Sequence, residues 1–197
     1  MNKALLILLS GGLTVSISSE AVTETQSDME TYVATRTGQS TRKVHNALQA
    51  FEMQLKEEMA AKREVRLDNF GAYRPREIKG TRTSFGHTYD NWVLIDKPEV
   101  VKEKLFNERA AAKAGMSVAD FDKSLEVYKH GIMTRLKPNN DILIHGDGHY
   151  KLHQEFKTVG QKTVEIRTFN YKAYGSDNHH EFTPTKMAKC RMKARGC

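Results

Sequence analysis

The sequence predicts an α+β fold made of two similar units, and three observations carry that expectation. First, Val65-Arg66-Leu67-Asp68-Asn69-Phe70-Gly71-Ala72-Tyr73 reads as strand, turn, strand, and Ile142-Leu143-Ile144-His145-Gly146-Asp147-Gly148-His149-Tyr150 repeats it 77 residues later. Second, the same offset relates Gly38 to Gly115, Ser40 to Ser117, Leu48 to Leu125, Phe51 to Tyr128 and Leu55 to Ile132, an ungapped internal repeat. Third, each copy of the turn follows a stretch with apolar residues three and four apart, as on one face of a helix. Within 197 residues, each unit would span roughly 80–90 residues, a size that buries a thin core and often needs a partner. The second copy supplies one within the chain.

The N-terminus comes first. Lys3 precedes the apolar run Ala4–Leu9, then Ser10-Gly11-Gly12 and a second patch, Leu13–Ile17. The run is too short and interrupted for a membrane span. It reads as a retained extension, with a removable secretory signal as the alternative. Residues 1–26 thus form an apolar leader and polar linker. The first helix is expected to begin at the N-cap pair Ser27-Asp28 and to stop at Gly38. Ser40 then caps a longer helix with Val44, Leu48, Phe51, Leu55 and Met59 on one face.

Glu64–Leu67 begin a strand, Asn69-Phe70-Gly71 turn it, and Ala72–Arg74 start the return. A polar, basic excursion over 74–91 leads to a third strand at Trp92–Ile95. Pro98 is expected to open a short closing helix through Val101 and Leu105. The second unit replays this order. Asn107–Ala114 is a short helix ended by Gly115. Ser117 caps a helix with Phe121, Leu125, Tyr128, Ile132 and Leu136 on one face. Asp141–Ile144 and His149–His153 flank the second turn. Thr163–Phe169 alternates like a strand, Val159-Gly160-Gln161 marks a tip, and Phe182-Thr183-Pro184-Thr185-Lys186 leads into a last basic helix. The units are placed at residues 27–106 and 107–197.

The formal net charge is +7, with a pI near 9.3, and it is uneven. Residues 1–106 hold 15 Lys and Arg against 14 Asp and Glu, whereas residues 107–197 hold 16 against 10. A basic half suits a polyanion, most often nucleic acid. The two cysteines, Cys190 and Cys197, form no framework and lack metal-finger spacing. Free thiols are expected, with a short-loop disulfide as the alternative. His145, Asp147 and His149 alternate as metal ligands can, but turn and loop residues account for them better, and no metal is expected. Ser, His and Asp occur without a nucleophile motif or a phosphate-binding glycine loop. The sequence therefore predicts no enzyme and no cofactor.

The order of elements, with Ala34, Gly38, Ser40, Ala47, Leu48, Phe51 and Asn69-Phe70-Gly71-Ala72-Tyr73, resembles the bacterial HU/IHF family of histone-like, DNA-bending proteins. Ala111, Gly115, Ser117, Leu125, Gly146-Asp147-Gly148-His149-Tyr150 and Phe182-Thr183-Pro184-Thr185-Lys186 carry the resemblance in the second copy. It implies two units, each a helical hairpin, a three-stranded antiparallel sheet with a β-ribbon arm and a short C-terminal helix. In that family two protomers intertwine and their arms reach round the minor groove. Here both sit in one chain, as an intramolecular pseudo-dimer or, if the join cannot span the distance, a swapped dimer of chains.

The resemblance implies an architectural, largely sequence-nonspecific protein that binds and bends or compacts double-stranded DNA through phosphate contacts. The alternative is a structural or packaging component, for example of a phage virion, using the fold mainly for protein contacts. A cytoplasmic, nucleoid or virion-associated location goes with these readings, and secretion with the signal reading. The candidate DNA contacts are Arg74, Arg76, Lys79 and Arg82 in the first unit and Lys151, Lys157, Lys162, Arg167 and Lys172 in the second. Lys186, Lys189, Arg191 and Lys193 would reach flanking backbone.

Two departures stand out. The family's arm tip carries a proline that wedges between base pairs, and neither arm here has one beyond Pro75 at the root. Asp147 also occupies the place of a buried aromatic. An unpartnered acid in a core is costly, so that turn is expected to expose Asp147 or to differ in shape.

Overall fold

The computed structural model describes residues 22–138, 140–144, 147–160, 162–173 and 180–192. The apolar leader up to residue 21, His145, His179 and Lys193 lie outside the described residues.

Helix α1 (Gln26–Thr37) is capped two residues earlier than Ser27-Asp28 suggested. Thr25 is its N-cap, and Asp28, at the third helical position, closes a capping box by accepting from the Thr25 backbone N–H at 2.8 Å. Gly38 ends α1 and Gly115 ends α3 (Glu103–Ala114), both with left-handed φ (71° and 63°) that a β-carbon would disfavour. Ser40 and Ser117 cap α2 (Thr41–Ala60) and α4 (Val118–Arg135) through their hydroxyls. These helices bury Val44, Leu48, Phe51 and Leu55, and Phe121, Leu125, Tyr128 and Ile132, on the faces their spacing predicts.

No closing helix forms after Pro98. Val100–Lys102 is a strand instead (β5), and α3 runs on directly as Glu103–Ala114. The spacing of Val101 and Leu105 imitates a helix, but Val101 is buried beside Val65 and Leu105 is 43% exposed. A strand not anticipated, β1 (Val22–Glu24), occupies the corresponding place ahead of α1.

Two sheets lie against the helices. One runs β1-β6-β7-β8, with β6 at Asn140–Ile144, β7 at Gly148–Val159 and β8 at Lys162–Ala173. The other runs β4-β3-β2-β5, with β2 at Glu64–Leu67, β3 at Gly71–Ser84 and β4 at His87–Leu94. The pairings are reciprocal across the repeat. β1 of the first half runs parallel to β6 of the second, with Glu24 beside Ile142. β5 of the second runs parallel to β2 of the first, with Val101 beside Val65. Likewise α1 packs on α4, and α2 on α3.

The C-terminal segment breaks this symmetry. β4 leaves β3 at Leu94, opposite Arg76, which exposes the base of β3. β9 (His180–Pro184) fills that slot, pairing Tyr73 with Phe182 and Gly71 with Pro184. Phe182 inserts its ring 4.8 Å from those of Phe70 and Tyr73. Helix α5 (Lys186–Met192) follows, burying Ala188 and Met192 and packing on α4. Cys190, on α5, is disulfide-bonded rather than a free thiol.

Asp147 corrects the expectation of an exposed or reshaped turn, because it is fully buried. Its carboxylate accepts hydrogen bonds from the hydroxyls of Tyr128 (2.5 Å), Tyr150 (2.6 Å), Tyr73 (3.2 Å) and Tyr171 (3.2 Å). The corresponding residues of the first half are Phe70 for Asp147 and Phe51 for Tyr128. The acid and a hydroxyl that satisfies it occur together in the half that carries both, which is how a core tolerates a carboxylate. Burial pushes the Asp147 carboxyl up from its ordinary range, against the pull of the tyrosine hydroxyls. Burial, and then the charge of Asp147, hold the four phenols well above theirs.

Candidate nucleic-acid interface

Strand alternation sorts the basic residues by face. In the second sheet Val65, Leu67 and Tyr73 point to the helices and are buried, so Arg66, Ala72, Arg74 and Arg76 point away from them. Lys102, in register with Arg66 across the parallel β2–β5 ladder, joins this outer face. In the first sheet Tyr150 and Leu152 face inward, so His149, Lys151, His153 and Lys157 face outward. Their ladder partners Lys172, Asn170, Thr168 and Val164 share that face, as does Lys162. His149 is 3.1 Å from Asp141, so it and the buried Asp147 serve different surroundings and do not form a joint ligand set.

The two outer faces meet where β8 approaches β9. A cleft of about 380 Å³ opens there, with Arg76, Asn170, Lys172, Glu181 and Lys189 among its lining residues. Cations from both sheets and from α5 therefore border one depression. Carboxylates organise this face as well. Buried Glu64 holds Arg66 at 2.5 Å and Arg74 at 3.4 Å, and Asp141 holds Lys151 at 2.9 Å. Arg76 donates to the Trp92 carbonyl at 2.9 Å, while its buried Nε–H has no hydrogen-bond partner among the described residues. A donor left so is one an incoming anion can satisfy.

The candidate residues thus divide. Arg74, Arg76, Lys151, Lys157, Lys162 and Lys172 share the outer face. Lys79 is exposed beside the bulge in β3, 3.5 Å from Glu77. Lys186, Lys189 and Arg191 are exposed on α5, with Lys189 at the cleft. Two candidates are not where the set requires. The β3–β4 register shifts between Ile78 and Thr81, so Arg82 pairs with Tyr89 on the face opposite Arg76. Arg167 lies opposite Gln154 on the inward-facing side of β8, only 22% of its side chain is exposed, and it is ion-paired with Glu165. Arg66 and Lys102 belong to the face but escaped the sequence reading. The signal for Arg66 was present in its alternation with buried Val65 and Leu67, whereas Lys102 was hidden by the helix expected there.

Both arms extend as two-stranded ribbons. Residues 78–90 of the first are all exposed, and it turns through Phe85 and Gly86, with φ of 50° and 77°. Positive φ at both central residues marks the tight hairpin turn that Asn-Gly serves best. A phenylalanine in that region is strained by roughly 1–3 kcal/mol. The second arm turns at Gly160, with φ 62°.

A family resemblance covers one segment of the chain. Residues 24–88 match the family described as bacterial DNA-binding protein. The matched segment runs from β1 through both hairpin helices and β3 into β4. No curated protein matches the chain. No described helix is long and apolar enough to cross a membrane.

Proposed function

We propose that this protein is an architectural, largely sequence-nonspecific binder of double-stranded DNA with no catalytic role. Its functional unit is a single-chain pseudo-dimer of two HU-like halves. The observation that carries this reading is the outer face, where Arg66, Arg74, Arg76 and Lys102 of one sheet and Lys151, Lys157, Lys162 and Lys172 of the other point away from the helices, with Arg76 and Lys172 lining the cleft between the sheets. The match of residues 24–88 to bacterial DNA-binding proteins supports it independently. Cations spread over an extended face suit a phosphate backbone better than a small ligand. The two arms extend that face around the duplex and add shape readout. A nucleoid-associated role follows from this reading.

Salt-dependent binding to random-sequence duplex tests it. Affinity should fall steeply with salt, with a slope of about −0.9 per phosphate neutralised. Trp92, the only tryptophan, lies on the outer face opposite Ile78 and should report binding by its fluorescence. No binding at low salt would overturn the proposal.

A further inference from the structure

The cleft between the sheets holds more than a duplex backbone can use. About 380 Å³ in volume, it is lined by residues 169–173 of β8 and by all of β9 (His180–Pro184). Consecutive residues of a strand border one space only where its backbone edge, and not a face, is presented to it. β8 is an end strand that pairs with β7, and β9 pairs with β3, so among the described residues both turn an unpaired edge toward the cleft. Such edges offer backbone N–H groups to an anion. Cations stand round them. Lys172 and Lys189 form no ion pair among the described residues, unlike Arg66, Arg74 and Lys151, and Arg76 adds its unsatisfied Nε–H. Glu181 is the only acid among the described lining residues. The rest of the lining is largely aromatic. The rings of Phe169 and Tyr171 lie 6.2 Å and 5.5 Å from that of Phe182. The Tyr171 hydroxyl is fixed between Asp147 and His180. A duplex lying on the outer face meets it with phosphates and sugars, which leaves these rings unused.

We infer that this cleft binds a free nucleoside 5′-phosphate. The base stacks on Phe169 and Tyr171, as bases do on aromatic side chains. The phosphate is held by Arg76, Lys172 and Lys189 through charge-assisted hydrogen bonds, and Asn170, exposed at the rim, serves the polar edge of the base. A concave site with an apolar floor and a few converging polar groups is how proteins hold small ligands. Arg76 and Lys172 cannot serve a nucleotide and a duplex phosphate at once. The nucleotide is therefore a competitive effector that releases DNA, a consequence that rests on the proposed DNA-binding reading.

The test uses the full chain and adenosine 5′-monophosphate (AMP), with adenosine and inorganic phosphate as separate ligands, all at one ionic strength. Calorimetric titration should show AMP binding about ten-fold or more tighter than either part, because ring and anion are engaged together. Asn170→Asp and Lys189→Glu place a negative charge at the cleft on exposed side chains. Each should weaken AMP binding about ten-fold or more. Lys56→Glu makes the same charge change as Lys189→Glu on α2, outside the cleft lining, and should leave AMP binding as it is. AMP should also displace a labelled random-sequence duplex, and the concentration required should rise in proportion to that of the duplex. AMP that binds no better than phosphate would overturn the nucleotide site and leave the DNA-binding reading standing. AMP binding that survives both cleft variants would overturn its placement. AMP that binds without displacing the duplex would overturn the effector role. If the wild type binds no duplex at all, the DNA-binding reading and the effector role fall together, and the direct titration still decides the site.

Discussion

The hydroxyls of Tyr73 and Tyr150, 77 residues apart, share a hydrogen bond of 2.8 Å in the buried core. They are the same residue of the internal repeat, and they touch each other. Lys43 and Asp120, also 77 apart, do so at 2.8 Å, and the rings of Phe51 and Tyr128 lie 5.7 Å apart. The offset of 77 that links these residues in the sequence thus also links residues in contact. Asp147 lies beside that contact and takes hydrogen bonds from tyrosines of both halves, whereas its counterpart Phe70 packs against Phe182.

Asp147 should make stability depend on pH in an unusual direction. Its folded pKa lies above the unfolded value of about 3.9. Between the two values the folded state holds more protons than the unfolded one, so stability falls as pH rises through that window. Asp147→Asn removes the titrating group. The stability of the wild type relative to this variant should therefore decline from about pH 3.5 upward and level off once Asp147 is ionised in both states. Urea unfolding of both proteins across that range measures it, and a pH-independent difference would count against the buried carboxylate.

Lys129 is 1% exposed and lies 2.6 Å from the Glu103 carboxylate, while donating to the Asp68 carbonyl at 3.2 Å. Glu103 also accepts from the Asp68 backbone N–H. Lys129→Met strands Glu103 in a site where burial already raises its pKa. The expected loss is about 3 kcal/mol, the scale for breaking a buried pair from one side. Thermal unfolding checks this, and a melting temperature equal to the wild type would refute it.

Gly71 marks the closest approach of β3 to the segment that completes its sheet. A β-carbon there would stand 2.6 Å from the Phe182 ring and from the Thr183 carbonyl. Gly71→Ala should cost about 1–3 kcal/mol through overpacking. The effect should fall on β9 and α5 first, seen as faster hydrogen exchange of their amides than in the wild type.

Three substitutions, two of arginine and one of lysine, separate the faces. Arg76→Ala and Lys172→Ala should each weaken DNA binding and lower the salt slope by about one. Arg167→Ala, which removes an ion pair on the other side of β8, should leave the slope unchanged. Equal effects from all three would discredit the outer face as the interface.

The helices were legible in the sequence because their determinants are local. Ser40 and Ser117 bond to backbone three residues on, Gly38 and Gly115 supply left-handed φ, and the apolar spacing of α2 and α4 names their buried faces. β2 and the first turn were legible for the same reason. The three-residue strands β1 and β5 were not, since a strand that short is defined by its partner, and each partner lies far along the chain. Within the interface, the face presented by Arg82 depends on a bulge two residues earlier. That of Arg167 depends on the register of a twelve-residue ladder. Neither can be counted from composition.

The sequence by itself determined the α+β class, the capped helices and the basic character of the second half. Each of these follows from residues near one another. Only the tertiary structure decided how the halves exchange β1 and β5, where β9 inserts, and which cations share a face. It also decided that Asp147 is buried. A lone acid reads as a surface residue until the fold brings Tyr73, Tyr128, Tyr150 and Tyr171 to it from separate elements, and with that hydrogen bonding the cost of burial becomes bearable.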